Sequence, residues 1–93
     1  MLKASSVNIN IEDAERNLAV AVGYEVSCEY DAVGEMIRVN VYNVPISEFS
    51  KVSSTIYDLE EEMYPEYGCV FLVIKFSPEE TERHFPLRIC RKL

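Results

Sequence analysis

The strongest constraint in this sequence is an apolar stripe near its centre. Six large apolar side chains recur there at steps of three or four residues, which places them on one face of an α-helix. They are Ile46, Phe49, Val52, Ile56, Leu59 and Met63. Pro45 suits the first turn of such a helix and Pro65 cannot continue it, so the spacing predicts a helix between the two prolines. A helix with one apolar face needs a second layer that buries it.

The second layer is predicted to be a β-sheet. Apolar and polar residues alternate over residues 24–30 and again over residues 36–43, and residues 31–34 between them are typical of a turn. These two segments predict an antiparallel hairpin. The run over residues 69–76 is apolar on both faces and rich in β-branched and aromatic side chains, which predicts a third strand.

A further helix is predicted before the hairpin, over residues 11–22. The side chain of Asn10 can accept from the amides of a first helical turn, and Gly23 can end the helix in the left-handed conformation. The rival interpretation is one long strand, because residues 18–30 also alternate. The cap and two alanines favour the helix.

The two ends of the chain carry weaker patterns. Residues 1–9 are expected to be coil. Ser77 and Pro78 begin a short acidic turn or helix, and Pro86 leaves room for at most a short strand over residues 87–91.

Together these elements predict a single α+β domain over residues 1–93. Two helices pack on one face of a small, mostly antiparallel sheet of roughly three or four strands, in the order helix, strand, strand, helix, strand, tail. The crossover through the central helix makes the second and third strands parallel. The third strand then lies beside the second or beyond the first.

Two helices can cover only one face of this sheet. The covered face is expected to carry Tyr24, Val26, Cys28, Ile37, Val39, Val41, Leu72 and Ile74. Phe71 and Val73 then lie on the other face and need cover. We expect a homodimer built on this face or on the edge of the third strand, or else a tail in which Phe85, Leu87 and Ile89 fold over it.

The net charge of −7 and the pI of about 4.6 argue against nonspecific binding to nucleic acid or to an anionic membrane. The three cysteines, Cys28, Cys69 and Cys90, are odd in number and contain no C-x-x-C pair. The N-terminus has no signal-peptide pattern. A reducing cytoplasm is therefore the expected location.

Catalytic chemistry is not predicted. The single histidine, His84, lies in a polar stretch, whereas the cysteines fall at apolar strand positions where a thiol has a raised pKa. Glycine-rich phosphate loops and zinc-ligand spacings are missing from the sequence. We therefore predict no enzyme activity, no catalytic residue, no resident metal and no cofactor.

The acidic end of the central helix is the candidate binding site. Aromatic rings bordered by carboxylates suit segments rich in arginine or lysine. The predicted partner-binding residues are Tyr57, Asp58, Glu61, Glu62, Tyr64, Glu66 and Tyr67. Rings packed at the sheet margin and a merely solvated acidic face remain the plainer alternative.

The sequence therefore predicts a small interaction module that is dimeric and binds a basic protein partner. One alternative is an acidic inhibitor of phage type that imitates nucleic acid and blocks a basic groove. Another is a factor that depends on a divalent cation, with Asp58, Glu61 and Glu62 as the ligands.

Overall fold

A computed structural model describes residues 9–65 and 70–85. The elements in chain order are α1 (Ile11–Val22), β1 (Val26–Asp31), β2 (Met36–Val41), α2 (Phe49–Met63), β3 (Phe71–Lys75) and α3 (Pro78–His84), with a 3₁₀ turn at Ile46–Glu48 before α2. The predicted class, α+β, is confirmed. The coil predicted before Ile9 and the strand predicted over residues 87–91 lie outside the described residues.

The described strands form one mixed sheet in the order β1-β2-β3. β1 pairs antiparallel with β2, as the hairpin pattern predicts, and β3 runs parallel to β2. Among the described residues the sheet therefore has one antiparallel and one parallel pair, where a mostly antiparallel sheet was predicted. Of the two predicted places for the third strand, the structure shows the one beside β2.

Helix α1 has the predicted bounds because both of its ends are set by local chemistry. The Oδ1 atom of Asn10 accepts from the N–H of Asp13 at 3.0 Å. Gly23 takes the left-handed conformation at φ 80°, and its N–H donates to the carbonyl of Ala19 at 2.8 Å. The alternative of one long strand through this segment is wrong.

Helix α2 packs through the middle of its apolar stripe. Val52 and Ile56 are buried, whereas Ile46 is 71 % exposed in the 3₁₀ turn and Met63 is 42 % exposed at the end of the helix. The α-helix begins at Phe49 and not directly after Pro45. α2 contacts both α1 and β3, and α1 contacts β1, so the two helices cover the same face of the sheet.

The face of β3 that meets the helices is the opposite of the predicted one. Register pairs Phe71 with Ile37 and Val73 with Val39, and these partners are fully buried beneath the helices. Phe71 is itself only 2 % exposed, while Leu72 on the other face is 44 % exposed. The prediction that Phe71 and Val73 lie on the uncovered face is therefore wrong. Leu72 and Ile74, which were placed in the core, lie on the face opposite α1 and α2. That face is itself partly covered, because Tyr42 on it is only 3 % exposed and packs against Phe85, one of the tail residues expected to fold over the sheet.

A buried carboxylate holds β3 in this orientation. Glu60 of α2 is only 3 % exposed, and its Oε2 atom accepts from the N–H groups of Val70 at 2.5 Å and Phe71 at 2.8 Å. Charge-assisted bonds to backbone amides compensate a carboxylate for the loss of water. The amide of Phe71 points away from β2, at the outer edge of the sheet, and Glu60 binds it there, so these two hydrogen bonds hold the first residue of β3 in place.

The opposite edge of the sheet has a similar contact. Glu15 of α1 accepts, through Oε2, from the N–H of Cys28 in β1 at 2.8 Å. β1 and β3 are the outer strands, so their outward amides would otherwise lack a partner. Each covering helix thus supplies one glutamate to the strand at the edge beneath it.

Helix α3 fastens the chain after β3 to the end of β2. Ser77 and Glu80 form a reciprocal capping box at its start. Thr81 is fully buried, and its Oγ1 atom accepts from the N–H of Asn43 at 2.9 Å. Phe85 packs edge-on against the stacked rings of Tyr42 and Phe76. The segment predicted as a short turn or helix is therefore a capped helix.

We expect Glu60→Ala to lower the free energy of unfolding by about 2–6 kcal/mol, because two buried amides would lose their acceptor at about 1–3 kcal/mol each. Glu60→Gln keeps an acceptor oxygen and should lose less. Urea denaturation measures both. Glu61→Ala, one exposed residue further along the helix, is the matched control and should stay within about 0.5 kcal/mol of wild type. Equal losses for Glu60→Ala and Glu61→Ala would contradict this role of Glu60.

Candidate functional site

The outward side of α2 brings together four of the predicted partner-binding residues. Tyr57 is 42 % exposed, and Asp58, Glu61 and Glu62 are exposed around it. Since Ile56 faces the core, the periodicity of the helix turns these neighbours towards solvent. We call Tyr57, Asp58, Glu61 and Glu62 the acidic face.

The remaining predicted residues do not extend this face within the described chain. Tyr64 is half-buried just after the end of α2, and its ring packs edge-on against Phe71 with the ring centres 5.9 Å apart. Tyr64 therefore packs at the margin of the core. This agrees with the plainer alternative, in which the tyrosine rings pack at the sheet margin. Glu66 and Tyr67 lie outside the described residues.

The acidic face has no counter-ion in the part of the chain that the structure describes. The ion pairs found in the described residues all lie on other elements: Arg16 pairs with Asp13, and Arg38 pairs with Glu29 and Asp31. The last turn of α2 contains no basic residue, although the negative end of the helix dipole favours one. Like charges one helical turn apart cost a few tenths of a kcal/mol per pair. The arrangement is thus mildly unfavourable in isolation, and a cationic group would relieve it.

The carboxylates of this face do not form a metal site with three ligands. Over residues 9–65 and 70–85, no three acidic, histidine or cysteine side chains come together in a way that could hold a metal ion. Asp58, Glu61 and Glu62 were the ligands named for the cation-dependent alternative. A cation held by two of these carboxylates, as the helical spacing predicts, is not tested by this finding, and that alternative stays a prediction.

The environment of Cys28 opposes thiol chemistry. Cys28 is 6 % exposed, and burial, followed by the negative charge of Glu15, raises the pKa of its thiol from 9.0 to about 12. The prediction of a raised pKa is thus confirmed for this cysteine. Among the described hydrogen bonds, none joins Cys28 to His84, which is exposed at the end of α3. Cys69 and Cys90 lie outside the described residues.

A groove of about 530 Å³ between α1 and the start of β1 was missed by the sequence reasoning. Its walls carry three carboxylates and one guanidinium, with a hydroxyl and apolar surface between them; the lining residues are Glu12, Glu15, Arg16, Ala19, Glu25, Val26 and Ser27. The available signal was a pair of glutamates nearly one helical turn apart, followed by an acidic residue before the next strand. Their approach depends on how the helix packs on the sheet, which no local pattern specifies.

Comparisons with known proteins return no match: no family model, no curated protein and no solved structure is similar to this chain. None of the helices in the described residues is long and apolar enough to span a bilayer. The case for a function consequently rests on the geometry of the acidic face and of the sheet.

The raised pKa of Cys28 predicts a loss of stability at high pH. The folded thiol keeps its proton up to a pKa of about 12, whereas an ordinary thiol releases it near 9.0. The unfolded state therefore binds fewer protons in this window, and stability must fall as pH rises.

The difference in unfolding free energy between wild type and Cys28→Ala isolates this effect, because other titrating groups cancel. From pH 9.0 towards 12 that difference should fall with a slope approaching about 1.4 kcal/mol per pH unit. Urea denaturation at stepped pH measures it. A difference that stays constant over this range would show that the thiol titrates normally in the folded protein.

Proposed function

We propose that this chain is a small non-enzymatic interaction module that binds a basic protein partner through the acidic face. The observation that carries the proposal is an exposed aromatic ring among exposed carboxylates that lack a counter-ion in the described residues. A free buried thiol at Cys28 suits a reducing compartment, so we place the protein in the cytoplasm.

The chemistry of the acidic face favours arginine over lysine in the partner. A guanidinium can lie flat on the ring of Tyr57 and still bond two carboxylate oxygens of Glu61 or Asp58, while an ammonium acts as a point charge. Three such carboxylates on neighbouring turns match a short segment with closely spaced basic residues.

The expected affinity is modest. Exposed ion pairs contribute about 0.2–1 kcal/mol each, and an exposed cation–π contact contributes about 0.5–1 kcal/mol. Three such ion pairs and one such contact sum to about 1–4 kcal/mol, which changes Kd by roughly one to three powers of ten. Binding through this face should consequently be reversible and weakened by salt, as in a transient regulatory contact.

The test compares two variants that remove the same charge. Asp58→Asn/Glu61→Gln/Glu62→Gln neutralises the acidic face, and Glu12→Gln/Glu79→Gln/Glu82→Gln neutralises exposed carboxylates on α1 and α3. The probe is a fluorescent peptide of alternating arginine and glycine, titrated by anisotropy.

We expect the first variant to raise Kd by about tenfold and the control by less than about threefold. Thermal melts establish that both variants are folded. Equal weakening would mean that net charge alone attracts the peptide, which contradicts a defined face. A salt dependence as steep as that of a peptide–DNA complex would instead favour the inhibitor that imitates nucleic acid.

A further inference from the structure

The outer edge of β3 has backbone groups that point away from the sheet. Ile37 donates to the carbonyl of Val70 at 2.8 Å, and Phe76 donates to the carbonyl of Val41 at 2.9 Å. In a parallel ladder, alternate residues bond to the neighbouring strand and the residues between them face outward. The N–H and C=O groups of Val73 and Lys75 therefore face the outer edge.

The two edges of the sheet differ in how well they are closed. At β1, Glu15 occupies the outward amide of Cys28, and the strand also carries the charged side chains of Glu29 and Asp31. Acidic side chains and occupied amides both discourage the addition of a strand. The outer side of β1 is thus poorly suited to a partner.

The β3 edge is closed only at its beginning. Glu60 occupies the amide of Phe71, but among the described contacts nothing binds the backbone N–H of Val73 or Lys75 along the outer edge. No acidic residue occurs in this strand. On the face opposite α1 and α2, Leu72 at the start of β3 is 44 % exposed. The one charged side chain of the strand, Lys75, donates through Nζ to Ser53 Oγ of α2 at 2.8 Å, so its charge is directed to the helix. The apolar residues before it leave this edge open to strand addition.

We propose that a second copy of this chain occupies this edge, with β3 of one copy antiparallel to β3 of the other. The strand is self-complementary about Val73. Val73 then faces Val73 of the second copy, Leu72 faces Ile74, and Phe71 faces Lys75. Like charges do not meet within this pairing, whereas the same operation on β1 would bring Glu25 opposite Asp31.

The occupied amide of Phe71 limits this register to part of the ladder. The two Val73 residues bond reciprocally through outward N–H and C=O groups, and each Lys75 donates to the carbonyl of Phe71 in the other copy. The carbonyl of Lys75 gains no donor in return. Only the N–H of Phe71 is committed elsewhere, to Glu60. The result is one continuous sheet across a two-fold axis. This pairing is independent of the acidic face, so either proposal can fail without the other.

Light scattering of the full chain over a range of concentrations tests the pairing. Wild type should approach twice the 10.7 kDa of one chain. Val73→Pro removes the central outward N–H while leaving the bonds to β2, and Leu72→Lys puts a charge beside Ile74 of the second copy. Each should raise the dimer dissociation constant by at least about tenfold. Tyr30→Pro, which removes an outward N–H from the β1 edge, is the matched control and should leave the dimer intact.

Amide hydrogen exchange on the unmodified chain provides a readout that does not depend on the variants folding. The amides of Val73 and Lys75 should be protected at high concentration and lose that protection on dilution. A monomeric wild type would overturn the proposal, and protection of these amides in that monomer would show that another part of the same chain covers the edge. A dimer that survives Leu72→Lys with an unchanged dissociation constant would also overturn it.

Discussion

The architecture depends on one buried carboxylate that holds the beginning of β3. Glu60 gives up water and accepts two backbone amides in return, which favours a strand that starts with Phe71 turned inward beneath α2. Leu72 consequently lies on the opposite face of the sheet, where it is half exposed. The same helix presents its neighbouring acids to solvent. A short acidic stretch thus both fixes the third strand and forms the charged surface to which we assign partner binding.

Local chemistry made part of this fold predictable. Asn10 and Gly23 act on amides and carbonyls within one helical turn, which is why both ends of α1 follow from the sequence. The hairpin follows from alternation for the same reason. β3 is different, because a strand that is apolar on both sides gives no indication of which side is covered. The hydrogen bonds of Glu60 favour the observed side. In the sequence Glu60 is one member of an acidic run, so nothing distinguishes it from its exposed neighbours.

The candidate site also contains residues that the sequence could place and one that it could not. Tyr57, Asp58, Glu61 and Glu62 could be placed on the outward side of α2 from periodicity alone. The position of Tyr64 could not, because the helix ends at Met63 and the next residue leaves helical geometry with φ −132° and ψ 51°. Its ring is directed by contact with Phe71, the first residue of β3, which comes later in the sequence than the end of α2. Tertiary packing determines where such side chains lie, and the local sequence pattern carries no information about that packing.

The two hydrogen bonds of Glu60 to the start of β3 also bear on the order in which contacts form during folding. Glu60 binds amides only ten and eleven residues further along the chain, so α2 and the start of β3 can assemble as a local unit. The β1–β2 hairpin is a second local unit. Contacts between near neighbours close small loops and form early, whereas the parallel pairing of β2 with β3 joins segments separated by the whole of α2. We therefore expect the pairing of β2 with β3 to form later than either local unit.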